Sequence, residues 1–462
     1  MGDFVRKLLH AGLRDKIWNF MTSPAYLFAL AVLTGLCYAA SLEVALYTVF
    51  ALIVVFTAVC GADMAPILPL LVFGYVSVSP SNNPGQNEAS VFSGATGSYV
   101  VCLAVVIAAA LLYRVIRDRK QMFRKNGTMT WGLVALTAAY MLSGIGFAGY
   151  EKLVVKNLIY AFLQGAAILL PYWLMVGGVD WKRQRRDYWA WMGLAVGCLL
   201  VFEVIWIYIS RAVLANGVID RTQIYTGWGM YNNVGGMLMF MIPFAFWLST
   251  YHKKPWFGYL LGMVILAGVY LSCSRSAMLL GTAAYILCCL LQPAGRHSML
   301  QWGILLGIAA LAAVVVLLLR DQLFTALSQM LDGTNVHSRV DIYGQGLGQF
   351  VKNPIFGTSF YPKGGLAYSW SQTDLVAYMP ARWHNTPVQL LAATGLVGFI
   401  AYGFHRYQTL RLALHRRSRT DALILIAIAL ILIGSLVDCH MFNVGPAMLY
   451  ALLMGWLEKR EV

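Results

Sequence analysis

Between Tyr26 and Trp456 the chain returns again and again to uncharged apolar runs near or above the length that crosses a bilayer, and this recurrence restricts its fold more than any other feature. A backbone in hydrocarbon must satisfy its polar groups internally, so continuous runs of this kind specify α-helices. A membrane barrel would show short alternating segments instead. Only 11% of the 462 residues are charged, against roughly 25% in an average soluble domain, which excludes a soluble globule. The expected fold class is an all-α polytopic membrane protein of about 12–14 transmembrane helices.

The candidate spans are about 25–40, 42–60, 63–79, 97–116, 130–149, 156–178, 189–210, 233–250, 256–272, 276–291, 300–319, 386–405, 421–437 and 441–457. The shortest, 63–79 and 276–291, are also readable as tight helical pairs or re-entrant segments. A net charge of +15 would suggest nucleic acid in a soluble protein, but here the basic residues must first be sorted by side. With the first segment inside, 114-RVIRDRKQMFRK-125, 182-KRQRR-186, 252-HKK-254, 295-GRH-297, 405-HRYQTLRLALHRRSR-419 and 458-EKREV-462 are cytoplasmic. Together with 1–24 they hold 24 of the 34 Lys and Arg. The positive-inside bias therefore accounts for most of the charge, puts both termini in the cytoplasm, and calls for no nucleic-acid partner. Residues 1–24 are basic and amphipathic without a small-residue cleavage site, and read as an interfacial or cytoplasmic lead-in rather than a removed signal. The eight cysteines lie almost entirely in apolar runs without metal or disulfide spacing, and read as small core hydrophobes.

The expected organisation is a lead-in over 1–24, a transmembrane bundle over 25–319, an exoplasmic loop subdomain over 320–385, and C-terminal transmembrane helices with a short tail over 386–462. Connections as long as the 66 residues from Arg320 to Asn385 are uncommon and often functional. Within it, Ile342, Leu347, Phe350 and Val351 outline an amphipathic helix ended by Asn353-Pro354. The Gly, Ser and aromatic-rich stretch 357–372 reads as a loop that drapes over a cavity. No Gly-rich phosphate loop or cytosolic nucleotide domain is present in the sequence.

Polar residues on the outward side carry the functional question. In 381-ARWHNTPVQLLAATGLVGFI-400, Arg382, His384 and Asn385 stand immediately before a long uncharged run. Arg275, in 272-SCSRSAMLLG-281, sits between two apolar runs with no room for a loop. Arg211, Arg221, Asn232 and Asn233 lie in 211–233, and Arg339, Asp341 and Tyr343 in 337–344. An arginine at a membrane lip either snorkels to the headgroups or grips an anion. Acids are scarce on that side, and a diphosphate suits the planar guanidinium fork. His384 has three readings: a loop hydrogen bond, a metal ligand, for which no second His or Cys stands at ligand spacing, or a general base whose ordinary pKa near 6.5 suits deprotonation of a hydroxyl. His337, Asp332, Asp341 and Asp374 are candidates to orient it, whereas Glu43, Glu203 and Asp438 stand isolated in the sequence.

Four pieces, in order, resemble the O-antigen ligase and O-antigen polymerase superfamily of bacterial membrane glycosyltransferases. They are 229-GMYNNVGGMLMFMIP-243, 272-SCSRSAMLLG-281, 338-SRVDIYGQGLGQFVKNPIFGTSF-360 and 384-HNTPVQLLAATGLVG-398. The resemblance implies a GT-C-like fold in the bacterial cytoplasmic (inner) membrane with its active site on the periplasmic or extracellular face. It implies transfer of a saccharide from an undecaprenyl-diphosphate carrier to an acceptor hydroxyl, without metal, nucleotide sugar or other cofactor. The acceptor is a lipid for ligases, another saccharide for polymerases and a protein for O-oligosaccharyltransferases. Carried onto this chain, the family's loop histidine falls on His384, its membrane-lip arginine on Arg275 and its loop arginine on Arg339. Substrate contacts fall on Arg211, Arg221, Arg382, Asn385, Tyr343 (where Trp is common) and Asn233, preferred over Asn232. Tyr361, Tyr368, Trp370 and Trp383 are candidate sugar-stacking surfaces or members of an interfacial aromatic belt. A transporter of lipid-linked saccharide is the rival reading; it would be favoured by inverted repeats or charges at midspan, and neither is evident in the sequence.

Overall fold

The computed structural model of the protein describes residues 11–76, 94–122, 127–147, 154–214, 224–226, 229–252, 256–292, 303, 306–307, 333–361, 382–416 and 418–459. The helices in chain order are α1 (Ala11–Met21), α2 (Pro24–Ala40), α3 (Glu43–Cys60), α4 (Leu68–Val76), α5 (Gly94–Met122), α6 (Thr130–Met141), α7 (Val154–Gly178) and α8 (Tyr188–Tyr208). They continue with α9 (Tyr231–Ser249), α10 (Trp256–Leu271), α11 (Arg275–Leu291), α12 (Gly333–Lys352), α13 (Thr386–Leu414), α14 (Arg419–Gly434) and α15 (Val444–Lys459). A two-residue antiparallel ribbon, β1 (Tyr225–Thr226) with β2 (Gly229–Met230), precedes α9. The candidate span 300–319 lies largely outside the described residues.

Every other candidate span coincides with a helix, but the expected 12–14 full spans are not all matched in length. Among the described residues α3, α7, α8 and α13 are long and apolar enough to cross a membrane, and the bent pair α1–α2 makes five if taken as one span. The shortfall has local causes. At 63–79 only the nine residues of α4 are helical, which gives about 13 Å of rise against the ~30 Å of a hydrocarbon core. At 130–149, α6 stops at Met141 because the chain turns through Gly144 and Gly146, both in the left-handed region at φ 82° and 79°. The lead-in forms α1, a largely exposed helix bent by 71° from α2.

The core is centred on α9. From Val234 to Ser249 every residue of this helix is buried, and Phe240, Phe244, Phe246 and Trp247 are among the most enclosed large side chains. It packs against α8, α10, α11 and α14. Glycines allow the close approaches: a β-carbon at Gly193 on α8 would lie 2.1 Å from Phe244.

One irregularity positions the outward motifs. α13 is broken at Gly395, whose φ 63° and ψ −158° are open essentially to glycine alone. The groups freed by the break bond to the loop after α12: Leu396 N–H donates to Pro354 O at 2.8 Å and Val397 N–H to Ile355 O at 3.2 Å. In the other direction Thr358 N–H donates to Ala392 O at 2.8 Å and Ser359 N–H to Ala393 O at 3.1 Å. Asn353 holds this loop by donating to Gly357 O and Ile145 O. The stretch beginning at Gly357 therefore does not drape over a cavity up to Tyr361. It plugs a helix break, with Phe360 fully buried, because buried backbone groups must find partners; 362–372 lie outside the described residues.

Two further expectations change. The segment 405–419 is not mainly a cytoplasmic loop. α13 continues to Leu414, His405 is buried, and the Arg406 guanidinium lies between the Tyr402 and Tyr450 rings at 4.6 and 4.9 Å. On α12 the inward face is Ile342, Gly346 and Gln349, while Leu347 and Val351 of the expected apolar stripe point outward.

Candidate functional site

The short first piece of α13, residues 386–394, begins with a proline in its first turn and an asparagine cap. Asn385 Oδ1 accepts from Val388 N–H at 3.0 Å, and its amide donates to Leu436 O at 2.9 Å. The cap thus ties the head of α13 to the turn that follows α14, and Thr386 N–H donates to Ser435 O at 2.8 Å beside it. His384, one residue before the cap, is held at φ 48°, uncommon for a residue with a β-carbon. Trp383 N–H donates to Gln389 Oε1, and Tyr343 O–H donates to His384 O at 3.4 Å, so neighbours on both sides fix the unusual backbone.

This geometry points His384 at a carboxylate. His384 Nδ1 lies 3.2 Å from Asp438 Oδ1, and the two side chains are 28% and 17% exposed. Asp438 is therefore not isolated, as its place in the sequence suggested. Burial would raise its carboxyl. The hydrogen bond with His384, the neighbouring His440 and His384 and the Cys439 N–H outweigh that and hold it well below the usual carboxylate range. With Asp438 ionised, it accepts the Nδ1 proton, so the outer nitrogen of a neutral His384 is an acceptor. Asp332, His337 and Asp374, the other candidates for this partnership, have no described side chains, and Asp341 lies exposed on α12.

Two of the other motifs bond to the segment that carries Asp438, and the third bonds to one of these. Arg339, on α12, donates to Val437 O, the carbonyl next to Asp438. Asn443 donates to Asn233 Oδ1 at 2.8 Å, and Ser274 Oγ to Asn232 Oδ1 at 3.3 Å, one residue before Arg275 opens α11. The family asparagine thus need not be one or the other: Asn232 joins the 272–275 turn and Asn233 joins the 438–443 segment. A run of contacts connects Arg275's turn through α9 to Asp438, His384, Tyr343 and Arg339. α8 ends against the same turn, with Tyr208 O–H donating to Leu271 O. Arg211 follows on a π-helical turn, Ile209–Leu214, and its side chain and the whole of Arg221 lie outside the described residues.

Arg382 is engaged within the protein. It donates to Phe442 O at 2.8 Å and lies 6.0 Å from the Tyr160 ring centroid, bracing the loop rather than presenting a free fork. Trp383, 2% exposed and packed with Ile342 and Ala392, is a core residue and not a stacking surface. Tyr361 is half-buried against Tyr160, while Tyr368 and Trp370 lie outside the described residues.

Sequence reasoning missed the segment 438-DCHMFN-443. His440 is buried with its ring against Phe240 and beside Gly236, where a β-carbon would fall 2.7 Å from the imidazole. Burial pushes His440 below the ordinary histidine value, partly offset by Asp438. The signal was available: an Asp, a His and an Asn between two apolar runs with no room for a loop, the same anomaly that singled out Arg275. No group of three metal-ligating side chains is present among the described residues.

The fold is thus all-α, with several apolar helices long enough to span a membrane, and an acid–imidazole–arginine cluster, partly exposed, sits where helix ends meet. Comparison with known families is more specific. Residues 260–403, which include Arg275, Arg339, Tyr343, Arg382, His384 and Asn385, match the family model described as O-antigen ligase, and this match supports the O-antigen ligase superfamily. No curated protein matches the chain. The several apolar helices agree with the inner-membrane setting of that family.

Proposed function

We propose that this protein is a membrane glycosyltransferase of the O-antigen ligase type, which moves a saccharide from an undecaprenyl-diphosphate carrier to an acceptor hydroxyl in cell-surface polysaccharide assembly. The observation that carries the reading is the His384–Asp438 pair beside the Arg339 turn, with His384 and Arg339 inside the segment that matches the O-antigen ligase family and Asp438 beyond it. Polymerization of repeat units and transfer to a protein hydroxyl use the same chemistry and differ only in the acceptor.

The sugar–diphosphate bond is already activated, so the protein has two tasks: to stabilise charge growing on the leaving diphosphate and to align and deprotonate the acceptor. Arg275 and Arg339, with Arg211 or Arg221 in support, face the diphosphate. Tyr343, Asn233, Asn385 and Arg382 shape the pocket around it, the last through the Phe442 carbonyl. Asp438 holds the imidazole in the tautomer whose outer nitrogen is an acceptor. The acceptor proton passes to His384 as the acceptor oxygen attacks the anomeric carbon and the bond to the diphosphate oxygen breaks, and this direct displacement inverts the anomeric centre. The site opens to the periplasmic or extracellular side, with both termini cytoplasmic, and no metal takes part.

The test incubates purified protein with undecaprenyl-diphosphate oligosaccharide and three acceptor classes: a lipid A core, a second lipid-linked repeat unit and a serine peptide. Product with one class and release of undecaprenyl diphosphate are expected, and Arg275→Ala weakens donor binding sharply. Absence of product with all three, together with accessibility of the lipid-linked saccharide on both faces of a vesicle, would instead support a transporter.

A further inference from the structure

We propose that α12 lies in the outer interface of the membrane, with Val340, Leu347 and Val351 inserted among lipid acyl chains. This surface is independent of the chemistry proposed for the site. Around α12 the sequence makes three stripes rather than two. Ile342, Gly346 and Gln349, at i, i+4 and i+7, face the protein: a β-carbon at Gly346 would stand 2.5 Å from Val388, so α12 sits directly on the first piece of α13. Asp341, Gln345 and Lys352 form an exposed polar stripe. Val340, Leu347 and Val351, at i, i+7 and i+11, form the third, and they are 59%, 44% and 72% exposed among the described residues. A helix packed on protein needs one apolar face; a second, set apart from a polar one, is the pattern of a helix at a bilayer surface.

Continuity decides which apolar partner covers it. The stripe runs past the end of α12 to Ile355, 57% exposed, whose carbonyl accepts from Val397 N–H at the break in α13. Beyond the break the outer face of α13 carries exposed Leu396, Phe399, Ile400 and Phe404, and α13 is one of the helices long and apolar enough to span. The exposed apolar face of a spanning helix therefore meets Ile355, one helical turn beyond Val351 at the end of α12. Gly344 and Gly348 have open space where a side chain would stand, so no other described element packs there. The same helix carries Arg339 and Tyr343 on its way to the site, so insertion of its outer stripe fixes those side chains near headgroup depth.

The experiment places a benzophenone amino acid at Val351 and, separately, at Gln345 in the full chain, reconstituted in nanodiscs of phosphatidylethanolamine and phosphatidylglycerol. After irradiation, peptide masses should show lipid adducts at 351 at least ten times more abundant than at 345. A second pair, Leu347 against Asp341, should give the same contrast, so one poorly inserting variant does not decide the matter. Adducts at 351 and 347 only to other segments of this chain, or equal lipid adducts on both stripes, would overturn the proposal.

Discussion

Arginines close helix ends in two regions of this protein, and the two regions differ in what they leave over. Where α3 ends, Arg114 donates to Gly61 O and Ala62 O at 2.6 and 2.8 Å, pairs with Asp118 at 2.5 Å, and is only 3% exposed. Asp63 is likewise consumed, accepting from Ala65 and Asp180 N–H. Around the end of α14, Arg339 performs a similar service for Val437 O, yet the adjoining imidazole and carboxylate stay partly exposed. In the first cluster the guanidinium itself is buried and spent on helix-end carbonyls, and the partly exposed Asp118 is held by both Arg114 and Arg117. The second has its backbone satisfied and a titratable pair facing outward, which is the arrangement a site needs and a strut does not.

Substitutions should separate the two. His384→Ala should cut saccharide transfer by ~10²–10⁴-fold in protein that still folds and still binds donor, as turnover and binding assays on the same preparation will tell. Arg114→Ala should do the reverse: it leaves the Gly61 and Ala62 carbonyls without their partner and Asp118 with Arg117 alone, which costs about 1–3 kcal/mol of stability, with turnover per folded molecule retained. Loss of turnover in folded Arg114→Ala would erase the contrast. Gly395→Ala joins the two effects, because it forces a side chain into a glycine-only conformation and within 2.4 Å of Ile355 O. A stability loss of about 1–3 kcal/mol is expected, with reduced activity as the head of α13 shifts.

The smallest effect is a pH dependence. His440 is held below its ordinary value by burial, so the unfolded chain takes up a proton first as pH falls through about 6.5. Its stabilising contribution is complete above that pH and lost below it. Asp438 is shifted downward too, so its contribution is present above about pH 4 and lost only below. Thermal unfolding in detergent should thus weaken between pH 7 and 5.5, and His440→Gln should flatten that limb while only softening the one below pH 4, where His384 still holds Asp438 down.

Much of this was legible in the sequence. Apolar run length located the helices, and Arg275, Arg339 and His384 were anomalous because charge stood where hydrocarbon was expected. The sequence did not reveal that Asn353–Phe360 and the Gly395 break form a single element, since backbone hydrogen bonds between distant segments leave no local pattern. It did not pair His384 with Asp438 either, because they stand 54 positions apart with two whole helices, α13 and α14, between them. The directions that Arg382 and Trp383 take were not legible for one reason: adjacency to a motif says nothing about which way a side chain turns when the chain passes through a residue at positive φ.

The central claim is that His384 and Asp438 act as one unit, and a double-mutant cycle tests it most directly. Transfer rates at saturating donor and acceptor would be measured for the native protein, His384→Ala, Asp438→Asn and the double variant. The expected result is a large loss for each single variant and a double variant no slower than His384→Ala. Native-like turnover in Asp438→Asn, or losses that multiply in the double variant, would contradict it.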